Sequence, residues 1–156
     1  MTAIEQSTPA IGQTAPDFTL SSTSGDKVTL SSLRGKPVLL AFYPLAFTST
    51  CTAELCEMRD DYDKFLDRGV TILPISVDHT ATHREFKAKY NMRTELLSDF
   101  HRDASRAYGV LLPERFHSTR AYFLIDANGV VRWKHVEDNP SNRRLDSELF
   151  AEIDGL

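Results

Sequence analysis

Two cysteines that lie five positions apart are the residues of this chain best suited to chemistry. Cys51 and Cys56 are the only cysteines among its 156 residues. Cys51 follows a hydrophobic run, residues 38–43, and stands where a helix-like pattern begins. A sulfur at a helix N-terminus meets the positive end of the helix dipole and free backbone N–H groups, which favour the thiolate. Because the thiolate is the nucleophilic form, this position predicts a reactive cysteine; the alternative is a buried, inert cysteine that packs as a small hydrophobic residue.

The composition is typical of one soluble globular domain. Hydrophobic residues make up 41% of the 156 positions and charged residues 26%, which is enough to bury a core without disulfides or metals. We expect a flexible N-terminal tail over residues 1–12 and a single domain over residues 13–156.

Charge and hydropathy narrow the classes of partner. The net charge is -4 and no long basic run is present, which opposes nucleic-acid binding. The N-terminus lacks the apolar segment of a signal peptide, and no run is long enough to span a membrane. We therefore expect a cytoplasmic protein with no nucleic-acid or membrane partner. In that reducing compartment, two nearby cysteines are catalytic, redox-active or metal-binding more often than a permanent disulfide.

Strand and helix patterns alternate along the chain. The continuous apolar run at 38–43 predicts a strand that is covered on both faces, and apolar residues at helical intervals predict a helix from Cys51 to about Leu66, with Gly69 as its stop. Two short alternating segments, separated by a turn, predict an N-terminal pair of strands. The remaining predicted elements are strands at 70–77, 96–98, 121–125 and 130–136 and helices at 82–90, 104–108 and 145–153. This order predicts an α/β fold with an antiparallel hairpin added to the sheet.

The segment Pro44-x-x-x-Thr48-x-x-Cys51 resembles the active-site signature of the peroxiredoxins, the thiol peroxidases, and in particular their AhpE and bacterioferritin-comigratory-protein (peroxiredoxin Q) subgroups. The resemblance covers about residues 10–150, in the family's order. Other matching segments are Ala15-Pro16-Asp17-Phe18, Ile75-Ser76-Val77-Asp78, Leu97-Ser98-Asp99 and Arg120-Ala121-Tyr122-Phe123. The resemblance implies a thioredoxin-like fold: a central mixed β-sheet flanked by helices, with an N-terminal β-hairpin extension.

The resemblance also implies roles for four residues. Cys51 would be the peroxidatic cysteine, which attacks a peroxide and becomes a sulfenic acid. The Thr48 hydroxyl would hold both the thiolate and the peroxide, and Pro44 would shield the pocket from water. Arg120 matches the family's arginine, whose guanidinium would stabilise the thiolate and the charge that moves onto the peroxide. A surface ion pair is the alternative role for Arg120.

Two further residues have open roles. Glu54 would orient an active-site arginine, or it is a carboxylate in the first turn of a helix, stabilised by the dipole. Cys56 corresponds to a resolving cysteine in some relatives, or it is a bystander on the helix. On an intact α-helix, residues five apart have Cα atoms about 8.6 Å apart, beyond the roughly 7 Å that a disulfide tolerates. If Cys56 resolves Cys51, the first turns of the helix must unwind.

The function implied by the resemblance is a thiol-dependent peroxidase without a cofactor or a metal. It would need thioredoxin, a glutaredoxin-like or mycoredoxin-like protein, or a low-molecular-weight thiol as reductant, and a homodimer is compatible with it. A non-enzymatic redox sensor that uses the same cysteine is one alternative. A thioredoxin-like disulfide reductase is another, but its cysteines are normally separated by two residues. His79 and His83 have a spacing that can bind a metal on a helix, although a helix cap between them would separate the two rings.

Overall fold

The structure, a computed structural model, describes residues 8–156 of the chain. The first seven residues of the predicted tail lie outside these described residues. Residues 8–12 run beside the last strand of the sheet, where the Gly12 N–H donates to the Val131 carbonyl oxygen at 2.8 Å and the Lys134 ammonium donates to the Pro9 carbonyl oxygen at 3.0 Å.

Strands and helices alternate over the described residues. The strands are β1 (Thr19–Ser22), β2 (Lys27–Thr29), β3 (Val38–Phe42), β4 (Thr71–Ser76), β5 (Leu97–Ser98), β6 (Leu111–Leu112), β7 (His117–Ser118), β8 (Ala121–Ile125) and β9 (Val131–Val136). The α-helices are α1 (Ser49–Asp60), α2 (Tyr62–Asp67), α3 (Thr80–Tyr90), α4 (Asp103–Ala107) and α5 (Asp146–Asp154), and a short 3-10 helix covers Leu30–Leu33. No helix in this part of the chain is both long and apolar enough to cross a membrane.

Seven strands form one mixed sheet in the order β2-β1-β5-β4-β3-β8-β9. The central strands β3, β4 and β5 are parallel, whereas β8 and β9 add an antiparallel hairpin beside β3. The β1–β2 hairpin pairs antiparallel at the opposite edge. The predicted α/β class, mixed sheet and N-terminal hairpin extension are therefore confirmed.

The sheet is covered on both faces, as the continuous apolar run of β3 predicts. All five residues of β3 are buried, and because side chains alternate along a strand, they feed two cores. Leu40 and Phe42 pack with Phe123 and Tyr108 in one cluster. Leu39 and Ala41 belong to the other cluster, which also contains Cys51, Leu55, Met58, Tyr122, Leu124, Phe86 and Leu149. The cysteine helix therefore packs on this second face.

The prediction of one helix from Cys51 to about Leu66 is wrong at both ends of that helix. The helix begins two residues earlier, at Ser49, and it ends at Asp60. The backbone of Asp61 leaves the helical region, with φ -96° and ψ 12°, and α2 begins at the next residue. The break changes which side chains reach the core: Phe65 is buried, whereas Leu66 is 53% exposed. Apolar spacing alone does not reveal this break, because the intervals on either side remain helical.

Candidate active site

Cys51 lies in the first turn of α1, directly beyond the carboxyl end of the central strand β3. It is the third residue of that helix, and its side chain belongs to the core between the helix and the sheet, with the residue only 1% exposed. The carboxyl ends of parallel strands are where α/β folds place their sites. The sequence places a strand, a short loop and a helix in this order, so the position follows from local pattern.

Arg120 reaches Cys51 through the register of two strands. Arg120 directly precedes β8, whose first residue, Ala121, pairs with Phe42 at the end of β3. The antiparallel pairing therefore returns the chain to the point where β3 ends and the cysteine loop begins. The Arg120 side chain is buried, with 1% exposed. Its Nη2 donates a hydrogen bond to the Cys51 sulfur at 3.2 Å, although 69 positions separate the two residues.

The guanidinium of Arg120 is held on every nitrogen. Nη1 donates to Oε1 of Glu54 at 2.6 Å, and both Nε and Nη2 donate to the Pro140 carbonyl oxygen, at 3.2 Å and 3.0 Å. A planar fork with several donors can make these bonds at once, which an ammonium cannot. These contacts fix the plane of the guanidinium against the sulfur. Arg120 is not the surface ion pair that was its alternative.

Glu54 is a buried partner of Arg120. Because α1 begins at Ser49, Glu54 lies beyond the first turn, and that turn contains no acidic residue. The expectation of a first-turn carboxylate at the helix dipole is therefore wrong. Glu54 is 1% exposed, and its two oxygens accept separate hydrogen bonds, from Arg120 at 2.6 Å and from the Tyr122 hydroxyl at 2.5 Å.

Tyr122 completes a chain of hydrogen bonds that sequence reasoning missed. It follows Arg120 by two positions on an extended segment, so both side chains face the same side of the sheet. Its hydroxyl donates to Glu54 and accepts from the backbone N–H of Arg144 at 3.0 Å. Strand alternation next to Arg120 was the available signal. This chain of hydrogen bonds runs from the segment before α5, through Tyr122 and Glu54, to Arg120 and the Cys51 sulfur.

Burial and charge act in opposite directions on these groups. Burial raises the pKa of Glu54, and the attraction of Arg120 and the Tyr122 hydrogen bond counteract only part of that rise. Burial on its own would lower the pKa of Arg120, but the nearby charges of Glu54 and Cys51 outweigh it, so the pKa of Arg120 lies above its usual value. Burial, and then the charge of Glu54, raise the pKa of Tyr122. The tyrosine therefore stays a hydrogen-bond donor at neutral pH.

Thr48 and Pro44 belong to the loop between β3 and α1. Thr48 is the N-cap residue of α1, but its side chain makes no cap hydrogen bond. Its exposed hydroxyl donates to the Leu45 carbonyl oxygen at 2.7 Å, which leaves the oxygen's lone pairs available to accept from a ligand. Pro44 is buried, and as a proline it has no backbone N–H to donate. Phe47 in this loop has φ 69°, the left-handed region that is uncommon for a large side chain.

A carboxylate that follows the neighbouring strand β4 anchors this loop. Oδ2 of Asp78 accepts from the Ala46 backbone N–H at 2.8 Å and from the Ser76 hydroxyl at 2.6 Å. Behind them, Nε2 of His83 lies 2.7 Å from Oγ of Ser76 and 3.0 Å from the Tyr43 hydroxyl. Burial lowers the pKa of His83 to about 4, so its ring is neutral near pH 7. Sequence reasoning missed this network because its members come from three elements.

The two histidines that were considered as a metal pair have separate roles. His79 caps α3, where its Nδ1 accepts from the Ala81 backbone N–H at 3.1 Å. His83 is fully buried and bonds inward, to Tyr43 and Ser76. His79 is itself the N-cap, whereas the sequence suggested a cap between the two histidines, and the two rings bond to different partners.

Cys51 and Cys56 are both free thiols on one continuous helix. Cys51 is buried and Cys56 is partly exposed. Because the helix is unbroken between them, helical geometry keeps their Cα atoms about 8.6 Å apart, and a disulfide requires local unwinding. That unwinding would also pull Glu54 from Arg120 and Tyr122, since Glu54 lies between the two cysteines.

A comparison with known protein families matches the AhpC/TSA family over residues 11–134. The chain belongs to the AhpC/TSA family. A protein named putative peroxiredoxin Q, chloroplastic, from Oryza sativa subsp. indica is 40% identical over 125 residues, which are 78% of this chain and 57% of that protein. The chain thus spans less than two thirds of that relative's length. Alkyl hydroperoxide reductase E of Mycobacterium tuberculosis is 39% identical over 148 residues, covering 92% of this chain and 97% of that protein.

A solved structure gives the same answer for the fold. The reduced 2-Cys peroxiredoxin of Plasmodium vivax superimposes with a TM-score of 0.86 and 35% identity, over 94% of this chain and 81% of that chain. The resemblance to peroxiredoxins and the thioredoxin-like fold are confirmed. The geometry adds Tyr122, Asp78 and the Pro140 carbonyl to the residues that the sequence analysis assigned to the site.

Proposed function

We propose that this protein is a thiol-dependent peroxidase whose nucleophile is Cys51. The observation that carries the proposal is the 3.2 Å hydrogen bond from Arg120 Nη2 to the Cys51 sulfur, between two buried side chains. A guanidinium on the sulfur stabilises its thiolate, and the first turn of α1 adds the positive end of the helix dipole. Membership of the AhpC/TSA family and relatives named peroxiredoxin support the same chemistry.

The first step transfers one oxygen atom. The Cys51 thiolate attacks the distal oxygen of a hydroperoxide, the O–O bond breaks, and the leaving alkoxide or hydroxide takes a proton to become an alcohol or water. The cysteine is oxidised to a sulfenic acid. The Arg120 guanidinium stabilises the negative charge that develops on the leaving oxygen. The exposed Thr48 hydroxyl holds the peroxide. Pro44 limits the water that enters.

We assign Cys56 to the second step. Its thiol displaces hydroxide from the Cys51 sulfenic acid, water leaves, and an intramolecular disulfide forms. The partial exposure of Cys56 supports this assignment, because its thiol is not locked in the core and can approach Cys51 once the helix unwinds. The distance along the helix requires α1 to unwind between Ser49 and Cys56 in each cycle.

An external thiol closes the cycle. Thioredoxin suits an exposed disulfide, whereas a glutaredoxin-like or mycoredoxin-like protein, or a low-molecular-weight thiol, would suit a sulfenic acid that Cys56 does not resolve. Two free thiols fit a reducing compartment such as the cytoplasm. We include a homodimer in this proposal, because the chain is compatible with one.

The test is peroxide consumption with dithiothreitol as the reductant. We expect the wild-type protein to remove many equivalents of hydrogen peroxide and Cys51→Ser to remove none. Cys56→Ser serves as the matched control, because it loses one cysteine but keeps the nucleophile and therefore its first turnover. A single equivalent consumed by the wild type, with no turnover under excess dithiothreitol, would favour a redox sensor over an enzyme.

A further inference from the structure

Three carboxylates meet where α1 ends and α5 begins, away from the cysteine pocket. Glu57 lies in the last turn of α1, Asp61 follows that helix, and Asp146 is the first residue of α5. One oxygen atom from each of the three lies within 4.8 Å of the other two. The three ligand atoms therefore come from two separate elements and converge on one point.

The positive charges around this cluster pair with Glu57 and Asp61, and the most buried member, Asp146, has the neighbouring carboxyl group of Asp61 as its side-chain partner. Arg143 Nη1 donates to Oε1 of Glu57 at 2.7 Å, and Lys64 Nζ lies 3.3 Å from Oδ1 of Asp61. Asp146 is only 2% exposed, and its Oδ2 has no hydrogen-bond donor anywhere in residues 8–156. A buried carboxylate without a donor or a countercharge is costly, so this group must hold either a proton or a cation.

We propose that Glu57, Asp61 and Asp146 bind a hard divalent cation, for which Ca²⁺ is the best fit. Carboxylate oxygens are the preferred ligands of hard cations, and Ca²⁺ accepts irregular sets of six to eight oxygens, whereas Mg²⁺ demands an octahedron. Arg143 pairs with Oε1 of Glu57 and Lys64 with Oδ1 of Asp61, so the second oxygen of each carboxylate is the one that would turn to a metal. Both side chains are partly exposed, at 30% and 22%, which gives an entry path and room for water ligands.

The proton is the competing occupant. Burial, and then the neighbouring carboxyl groups, raise the pKa of Asp146 to about 8. The charged groups that act on Asp146 are the carboxyl groups of Asp61, Glu57 and Glu54, while Lys64 and Arg143 pair with Asp61 and Glu57.

Calorimetric titration of the EDTA-treated full chain with Ca²⁺ alone tests the proposal, together with thermal unfolding with and without Ca²⁺. We expect saturable binding of one ion per chain, with a dissociation constant of about 10⁻⁴ M and a higher melting temperature in Ca²⁺. The cation takes no part in the proposed peroxide chemistry, so the two proposals stand or fall separately.

Three variants make the test specific. Asp146→Asn keeps the shape of the buried side chain and removes its charge, and Glu57→Gln removes a partly exposed ligand. Both should abolish the Ca²⁺ heat and the shift in melting temperature. Asp60→Asn is the matched control, because Asp60 is on the same helix but pairs with Arg59, and it should bind as the wild type does. No saturable heat up to 10 mM Ca²⁺ (roughly one hundred times the expected constant), or equal binding by Asp146→Asn, overturns the proposal.

Discussion

Arg120 is the residue on which the chemistry at Cys51 depends most directly. Its guanidinium meets the sulfur, a buried carboxylate and a backbone carbonyl at the same time. Positive charge alone does not achieve this, because the contacts require a planar fork whose orientation is fixed. The charge of Arg120 and the fixed orientation of its fork therefore make separate contributions at the sulfur.

Arg120→Lys keeps the positive charge and removes the fork. We expect the second-order rate constant for oxidation of Cys51 by hydrogen peroxide to fall by about 10²-fold to 10³-fold, as measured by stopped-flow fluorescence on folded protein. Arg68→Lys, at an exposed pair with Asp154, is the control and should react as the wild type does. A rate within threefold of the wild type for Arg120→Lys would mean that charge without orientation is sufficient.

Tyr122→Phe removes one hydroxyl from the chain that fixes Glu54 and, through it, Arg120. We expect a loss of about 1–3 kcal/mol in the free energy of unfolding and a roughly tenfold slower oxidation of Cys51, a smaller effect than that of Arg120→Lys. Tyr108→Phe is the matched control, since its buried hydroxyl bonds only to the Pro16 carbonyl oxygen. It should lose similar stability without any change in rate, and equal rate losses in both variants would contradict a positioning role for Tyr122.

At the scale of elements, the loop between β3 and α1 is held from outside itself. Asp78, which follows β4, accepts the Ala46 N–H, and Ser118, in the strand β7, donates to the Tyr43 carbonyl oxygen at 3.3 Å. The loop also contains Phe47 in a left-handed conformation, which persists only when the surroundings enforce it. Contacts from residues in and beside the neighbouring strands therefore fix the loop that leads into α1.

Asp78→Ala should release this loop. The Ala46 N–H and the Ser76 hydroxyl both lose their acceptor, so we expect about tenfold slower peroxide oxidation of Cys51, because a small displacement of Thr48 disturbs the reacting geometry. The readout is the oxidation rate at a temperature where the variant remains folded. Asp17→Ala, which removes a carboxylate that accepts from Ser31 beyond the other end of β3, should leave the rate unchanged; an equal loss in both would point to general destabilisation.

At the scale of the whole molecule, the sequence predicted those features that depend on local patterns of residues. The order of strands and helices, the buried central strand and the position of Cys51 before a helix follow from apolar spacing and turn residues. Arg120 was accessible only through family resemblance, because strand register closes a separation of 69 positions. The Pro140 carbonyl and the Asp78 anchor depend on the course of loops, which no spacing rule specifies. The break at Asp61 was missed since the apolar intervals continue through it.

The stability of the molecule should fall as pH rises through the range in which Asp146 titrates. Its pKa is raised from the ordinary 3.8 to about 8 in the folded chain, first by burial and then by neighbouring carboxyl groups. Between these values the folded state binds a proton that the unfolded state has lost, so this contribution is complete below about pH 4 and is lost as pH approaches 8. In EDTA, we expect Asp146→Asn to exceed the wild type by about 1–3 kcal/mol at pH 8 and by much less at pH 5. Urea unfolding at both values checks this, and a difference that does not depend on pH would contradict it.

The measurement that bears most directly on the central claim is the intact mass of the reduced protein within seconds of adding one equivalent of hydrogen peroxide, with an acid quench. The account predicts that the wild type loses two hydrogens, as Cys51 and Cys56 form a disulfide, and that Cys56→Ser instead gains one oxygen on Cys51. Cys51→Ser should keep its mass. A gain of one oxygen in both the wild type and Cys56→Ser would make Cys56 a bystander, and an unchanged mass in the wild type would contradict the peroxidase account itself.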